Sequence, residues 1–138
     1  MFNFNKNAST IIAKKVARNK NIPIKLLNGD KYCYVSGISP NEFICDKLPK
    51  QVINYEVFDV IVDFLRKNGG KALKGCGRGK YDKVGYGNCM EDTVMYAVAT
   101  EYYGAVDGES TFDPVFVLAA MLEWAGIARN CRGYIKLI

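Results

Sequence analysis

Asp113-Pro-Val-Phe-Val-Leu-Ala-Ala-Met-Leu-Glu-Trp-Ala-Gly-Ile-Ala-Arg-Asn-Cys-Arg-Gly-Tyr-Ile-Lys-Leu-Ile138 closes the chain, and the fold turns on how this stretch is read. Asp113 is a helix cap, and Pro114 takes the first helical position, where a missing N–H leaves no bond unmade. The helix so opened runs to Trp124 and stops at Gly126. Phe112, Val115, Phe116, Val117, Leu118, Met121, Leu122 and Trp124 are too continuous to form one face of a surface helix. Such a helix is buried all round or gives part of itself to a partner. Residues 127–129 and 134–138 then flank a turn through residues 130–133 and predict a β-hairpin.

Upstream, Asn88 followed by Glu91 resembles a capping box and opens a helix through Val94, Met95, Val98 and Tyr102 to Gly104. Residues 55–67 give the clearest amphipathic pattern, with Val57, Phe58, Ile61, Phe64 and Leu65 on one side and Asp59 and Asp63 on the other. Asn68-Gly69-Gly70 ends that helix. Leu48-Pro49-Lys50 is the expected joint, so the chain is read as one compact unit with an N-terminal subdomain at residues 1–50 and a second part at 51–138. In the first part, residues 7–19 predict a helix capped by Asn7 or Ser9, with Ile11, Ile12 and Val16 inward. Residues 22–27 and 31–35 flank Asn28-Gly29, a pair suited to a two-residue type I′ turn, and residues 42–46 give a third strand after Ser39-Pro40. The expected class is α+β: an N-terminal helix and a small antiparallel β-meander, then three helices and a C-terminal β-hairpin.

Charge is segregated along this frame. Residues 66–89 hold seven basic side chains against one acid and seven of the 13 glycines, whereas residues 90–128 hold seven acids and no Lys or Arg. A glycine-rich basic loop can shape itself to a polyanion that the acidic stretch would repel. The chain contains no histidine, which removes the usual general base, the usual partner of a nucleophilic Ser or Cys, and the commonest transition-metal ligand. Its five cysteines are odd in number and never fall in a C-x-x-C pair, so neither a disulfide framework nor a zinc site is expected and a reducing, cytoplasmic setting is. The start is polar rather than signal-like, and the longest apolar run, residues 114–122, is too short for a bilayer, so no membrane partner is expected.

Within the basic segment, Lys71, Lys74, Arg78, Lys80 and Lys83 are candidates to pair with phosphates, and Gly75, Gly77 and Gly79 to let the backbone approach closely. Tyr81 and Tyr86 offer rings for base stacking. The plain alternative is a solvated loop with no ligand. Arg129 and Arg132 bracket the hairpin turn, and Lys14, Lys15 and Arg18 form a cationic side of the first helix. Gly70 and Gly75 have the spacing that begins a phosphate loop, but Cys76 stands where its Lys belongs and no Ser or Thr follows, so no nucleotide cofactor is expected. Gly87-Asn88-Cys89 looks like the nucleophile segment of papain-like hydrolases, yet without a histidine it reads better as a capping Asn before a buried thiol. Asp107, Glu109 and Asp113 read as solvated acids rather than a Mg²⁺ site. No metal site and no catalytic residue are expected.

Helix, glycine-containing connection, helix, loop, helix and hairpin is the order of a winged-helix domain, and residues 55–138 follow it. The stretch Leu122-Glu-Trp-Ala-Gly-Ile-Ala-Arg-Asn-Cys-Arg-Gly-Tyr-Ile-Lys-Leu137 resembles the end of the third helix and the wing in the modules found N-terminal to Mrr-type restriction endonucleases. There a small-residue helix end, an apolar residue, a basic turn and an aromatic strand recur. The resemblance implies a winged-helix-like core of three helices with a β-wing, ordinarily used to bind DNA. It does not imply cleavage, because no Lys in this chain has an acid two positions before it, as the nuclease element requires. The third helix of such domains enters the major groove with basic or polar side chains, whereas residues 113–125 contain no Lys or Arg. Contact with nucleic acid is therefore expected through the loop, the wing and the first helix. Two functions follow. One is a non-enzymatic nucleic-acid-binding protein, with DNA the expected target. The other is a protein-binding inhibitor or adaptor, or a homo-oligomer, acting through the 113–125 helix. Small anti-defence proteins of phages and mobile elements, anti-CRISPR proteins among them, are similar in size and lack catalytic residues.

Overall fold

The computed structural model describes residues 7–138, which form an α+β fold with two antiparallel sheets. Helix α1 (Ala8–Val16) is capped by Asn7, whose Oδ1 accepts the Thr10 N–H at 3.0 Å, and it buries Ala8, Ile12 and Val16. Strands β1 (Ile22–Lys25), β2 (Tyr32–Ser39), β3 (Glu42–Cys45) and β4 (Ile53–Asn54) follow as a meander in chain order. Alternation along β2 turns Cys33 and Val35 inward and Tyr32 and Tyr34 outward. Gly37 lies where α1 leaves for the sheet: a Cβ there would collide with the Ala17 carbonyl oxygen, and its N–H donates to Asn19 O at 3.0 Å. The β1–β2 connection is longer than the expected two-residue turn. It runs through residues 26–31, with only Gly29 of the Asn28-Gly29 pair at positive φ (46°) and the Lys31 N–H closing on Asn28 O at 3.2 Å.

Helix α2 (Glu56–Lys67) buries Val57, Phe58, Ile61, Val62 and Leu65, as its periodicity predicts. Gly69 and Gly70, both at positive φ, carry the chain into β5 (Lys71–Leu73), a strand where the sequence suggested only loop. Helix α3 (Val94–Ala97) continues as a π-helical segment through Val98–Tyr102. Its cap is Thr93, whose Oγ1 accepts the Tyr96 N–H at 3.2 Å, and not Asn88 as the capping-box pattern suggested. The Asn88 N–H is donated to Asp82 at 2.8 Å rather than to Glu91, and residues 88–93 lie before the helix. Helix α4 (Val115–Trp124) and the hairpin of β6 (Ala128–Cys131) and β7 (Tyr134–Leu137) complete the chain. Because β5 pairs with β7, the second sheet has the order β5-β7-β6.

A single cluster of buried side chains extends from Ala8 to Ile135 and joins both sheets to the helices. Phe43 of β3 lies 5.2 Å from the Tyr55 ring and 5.8 Å from the Phe58 ring, tying the first sheet to α2. At the centre is α4, with Val115, Val117, Leu118, Ala119, Ala120, Met121 and Leu122 buried. Fully burying Leu118, Met121 or Leu122 stabilises the fold by about 1.5–3 kcal/mol each. The apolar run at 113–125 is thus core, and α4 shows the surface only half-buried Phe116 and Trp124 and exposed Glu123. Nor does the joint drawn at residue 50 mark a break in packing. Strand β4 completes the first sheet beyond it, the Ser9 N–H donates to Asp59 of α2 at 2.9 Å, and the Asn54 N–H donates to the Tyr102 hydroxyl at 2.8 Å.

Candidate nucleic-acid interface

Register across the second sheet decides which cations share a surface. Lys71 of β5 is directly opposite Lys136 of β7, which is directly opposite Arg129 of β6. All three are exposed, while the next row, Ala72, Ile135 and Asn130, is buried. The row after that, Leu73, Tyr134 and Cys131, returns to the open face. Two strand spacings separate the outer members, so the three cationic side chains leave the sheet from backbone positions within roughly 10 Å of one another. The Lys71 ammonium is 4.4 Å from the centre of the Tyr134 ring. Neither Lys136 nor Arg129 has a carboxylate within 4.0 Å among the described residues. At the hairpin turn the Lys74 N–H donates to Gly133 O at 2.9 Å, and burial holds the half-buried Lys74 ammonium below the usual lysine range. Arg132 is exposed beside it.

The glycine-rich segment is packed against the protein. Asp82 is its hub: its Oδ1 accepts the Asn88 N–H, the strongest of the contacts that hold its carboxyl below the usual range. A Cβ at Gly79 would collide with the Asp82 carboxylate, and one at Gly87 would lie 2.5 Å from Asp82 Oδ1. A Cβ at Gly77 would lie 2.8 Å from Thr111 Cγ2. The close approach that glycine permits at Gly75, Gly77 and Gly79 is to the chain's own atoms, Thr93, Thr111 and Asp82 respectively. Buried Asp113 anchors the segment from α4: Oδ2 accepts the Gly77 N–H at 3.0 Å and lies 3.6 Å from Arg78 Nε, while Oδ1 accepts the Val115 N–H at 3.1 Å. Cys89 is buried, and burial pushes its thiol up, away from nucleophile chemistry.

The ten cations singled out in the sequence fall into three groups. Lys71 and Arg129 join the sheet row, with Lys74 and Arg132 at the adjoining turn. Arg78, Lys80 and Lys83 line a separate concave depression of about 630 Å³, together with Lys47 from the turn after β3. Lys14 and Lys15 of α1 and Arg18 just beyond it are exposed but belong to neither surface, and Lys15 Nζ lies 4.6 Å from the Trp124 ring centre. Tyr81 and Tyr86 are well exposed beside the depression's lysines, with Lys80 Nζ 5.5 Å from the Tyr81 ring. Sequence reasoning missed Lys136 and Lys47. Alternation in the hairpin signals the first, since Lys136 has the same parity as Tyr134, but nothing local signals the second. The three acids read as solvated do not converge. Asp107 accepts from the Tyr96 hydroxyl, Glu109 from the Val106 N–H and Asp113 from Gly77. Among the described residues no three His, Cys, Asp or Glu side chains are grouped to hold a metal. None of the helices described is long and apolar enough to cross a membrane.

Comparison with protein-family models, with curated proteins and with solved structures yields no match, so any function must be argued from this chain's own residues.

Proposed function

We propose that the protein is a non-enzymatic nucleic-acid-binding protein, with DNA as target, and that the open face of the β5-β7-β6 sheet and the hairpin turn form its main contact. The row Lys71, Lys136 and Arg129 carries this reading. Like charges directly opposite on neighbouring strands destabilise a sheet, and among the described residues no acid within ion-pair reach relieves Lys136 or Arg129. A polyanion laid across the row removes that repulsion, and duplex DNA presents one charge per about 1.7 Å of axis. Tyr134 and Leu73 in the neighbouring exposed row supply apolar contact to sugar or base. Support for the winged-helix reading comes from the order α2, β5, α3, α4, β6, β7, in which the glycine-containing connection contributes a third strand beside the hairpin. With α4 in the core, recognition in this reading runs through phosphate contacts rather than base edges. The test is duplex affinity across a salt series. The wild type is expected to lose affinity linearly in log–log form, and replacing Lys71, Lys136 and Arg129 by Ala is expected to flatten the slope by about 0.9 per lost phosphate contact. Salt-independent binding, or a slope untouched by the triple variant, rejects the proposal.

A protein partner is the second reading, and a specific surface favours it. The open face of the first sheet carries Tyr32, Tyr34 and Ile44, each about 40% exposed, a better apolar patch than anything α4 leaves uncovered. An inhibitor or adaptor role would use this face. Tyr34→Glu is expected to abolish such an association, measured as complex mass in light scattering, while leaving duplex binding unchanged.

A further inference from the structure

The half of the basic segment that does not reach the sheet has its own geometry. Lys47, Arg78, Lys80 and Lys83, from two segments distant in sequence, line one depression of about 630 Å³ together with Ser110, Thr111, Phe112 and Phe116. That volume is typical of small-ligand sites. Asp113 is the one acid in the lining, and its oxygens are already taken by Gly77, Arg78 and Val115. Lys47 lies 4.0 Å from exposed Asp46 outside the lining. Lys80 and Lys83 have no carboxylate within that distance among the described residues, and Lys83 Nζ donates to Ser110 Oγ at 2.5 Å, a neutral partner that leaves its charge uncompensated. On the apolar side, the Arg78 guanidinium lies over the Phe116 ring, 5.6 Å from its centre, and its exposed outer face is a plane on which a base can stack. The backbone of the site is held in place before a ligand arrives, because Asp113 accepts from Gly77 and backbone bonds tie Val84 to Glu109 and Gly108, so ordering is left mainly to the lysine side chains.

We propose that this depression binds a nucleoside phosphate, its phosphate on Lys80, Lys83 and Lys47 and its base against Phe116, Phe112 and Arg78. The ligand comes either as a free nucleotide or as an unpaired nucleotide of a strand, and only the second form rests on the nucleic-acid reading above. Isotope-labelled protein is titrated with adenosine 5′-monophosphate, adenosine, inorganic phosphate and a single strand of about five nucleotides, following backbone amides. Shifts confined to residues 47–48, 77–83 and 110–116 are expected with the monophosphate, the strand or both. Movement with the monophosphate shows that a free nucleotide suffices, and movement with the strand alone assigns the site to unpaired nucleotides. Adenosine and inorganic phosphate are each expected to bind roughly tenfold or more weakly than the nucleotide. Lys80→Gln combined with Lys83→Gln is expected to cut nucleotide affinity by a similar factor with the melting temperature unchanged. No shift from either nucleotide probe, equal affinity for inorganic phosphate, or undiminished binding in the double variant overturns the proposal. Duplex binding is read separately. Duplex binding without pocket shifts sinks this inference alone, and pocket shifts with the monophosphate but no duplex binding sink the sheet-face proposal alone.

Discussion

Two buried carboxylates organise what composition presents as a mobile basic loop. Asp113, one residue before the Pro114 cap of α4, accepts the Val115 N–H and holds Gly77 and Arg78, so Asp113→Ala leaves donors on both segments unmatched. A cost of about 2–3 kcal/mol in urea unfolding is expected. Asp82 adds a pH signature. Its carboxyl titrates below the usual range in the folded chain, so its contribution is present above the unfolded value of about 3.9 and is lost as pH falls through the lower, folded value. Amide exchange at Asn88, corrected for intrinsic rates, is therefore expected to stay flat between pH 7 and 5 and to accelerate below about 4. In Asp82→Asn that acid-dependent step should vanish. Gly77→Ala places a methyl 2.8 Å from Thr111 Cγ2 and 3.4 Å from Met95 Sδ, and a loss of about 1–3 kcal/mol is expected, as for overpacking elsewhere. A freely solvated loop would accept that alanine without loss.

At the scale of elements, the second sheet trades stability for charge. Lys136 sits between Lys71 and Arg129, so Lys136→Gln relieves two like-charge pairs. The variant is expected to be more stable by about 0.2–1 kcal/mol while binding duplex more weakly and with a shallower salt slope. Stability falling together with affinity would mean that the row is structural. The hairpin, α2 and α4 were legible in the sequence because each is a local pattern: a turn between β-prone runs, an apolar stripe ended by Gly69 and Gly70, and an Asp-Pro start. The bounds shift, however: β6 runs to Cys131 and leaves a turn of residues 132–133 in place of 130–133, and α4 starts at Val115 with Pro114 rather than Asp113 at its cap. Strand β5 was not. It is three residues long with a single inward Ala72, and pairing with β7 alone makes it a strand. The expected helix start at Asn88 lies too early because Asn88 and Glu91 fit a capping box, whereas the Asn88 N–H bonds Asp82 within the loop and Thr93 supplies the cap. The candidate surfaces were half legible for the same reason. The basic residues were visible, but their division between sheet row and depression depends on register and on Lys47, some 30 residues away in sequence.

For the whole molecule, the continuous core binds the two parts of the chain into one cooperative unit. Residues 8–48 supply Ile12, Val16, Ile24, Cys33, Val35, Phe43, Cys45 and Leu48 to the same cluster that contains α2 and α4. At about 1.5–3 kcal/mol for each large aliphatic or aromatic side chain among them, their loss is comparable to the whole 5–15 kcal/mol by which domains are ordinarily stable. A fragment of residues 51–138 contains every element of the winged-helix order, yet it would expose the face of Phe58 that Phe43 covers and the side of α2 that packs on α1. The full chain is expected to melt in one transition, with far-ultraviolet dichroism coincident with the fluorescence of Trp124, the single tryptophan, which reports on α1 through Lys15 at 4.6 Å. The fragment is expected to show no cooperative transition and no salt-sensitive duplex binding. A cooperative fragment that still binds duplex would make the first 50 residues an appendage to an autonomous binding domain. Coincident loss of folding and binding would make the N-terminal helix and meander the support on which the sheet row is built.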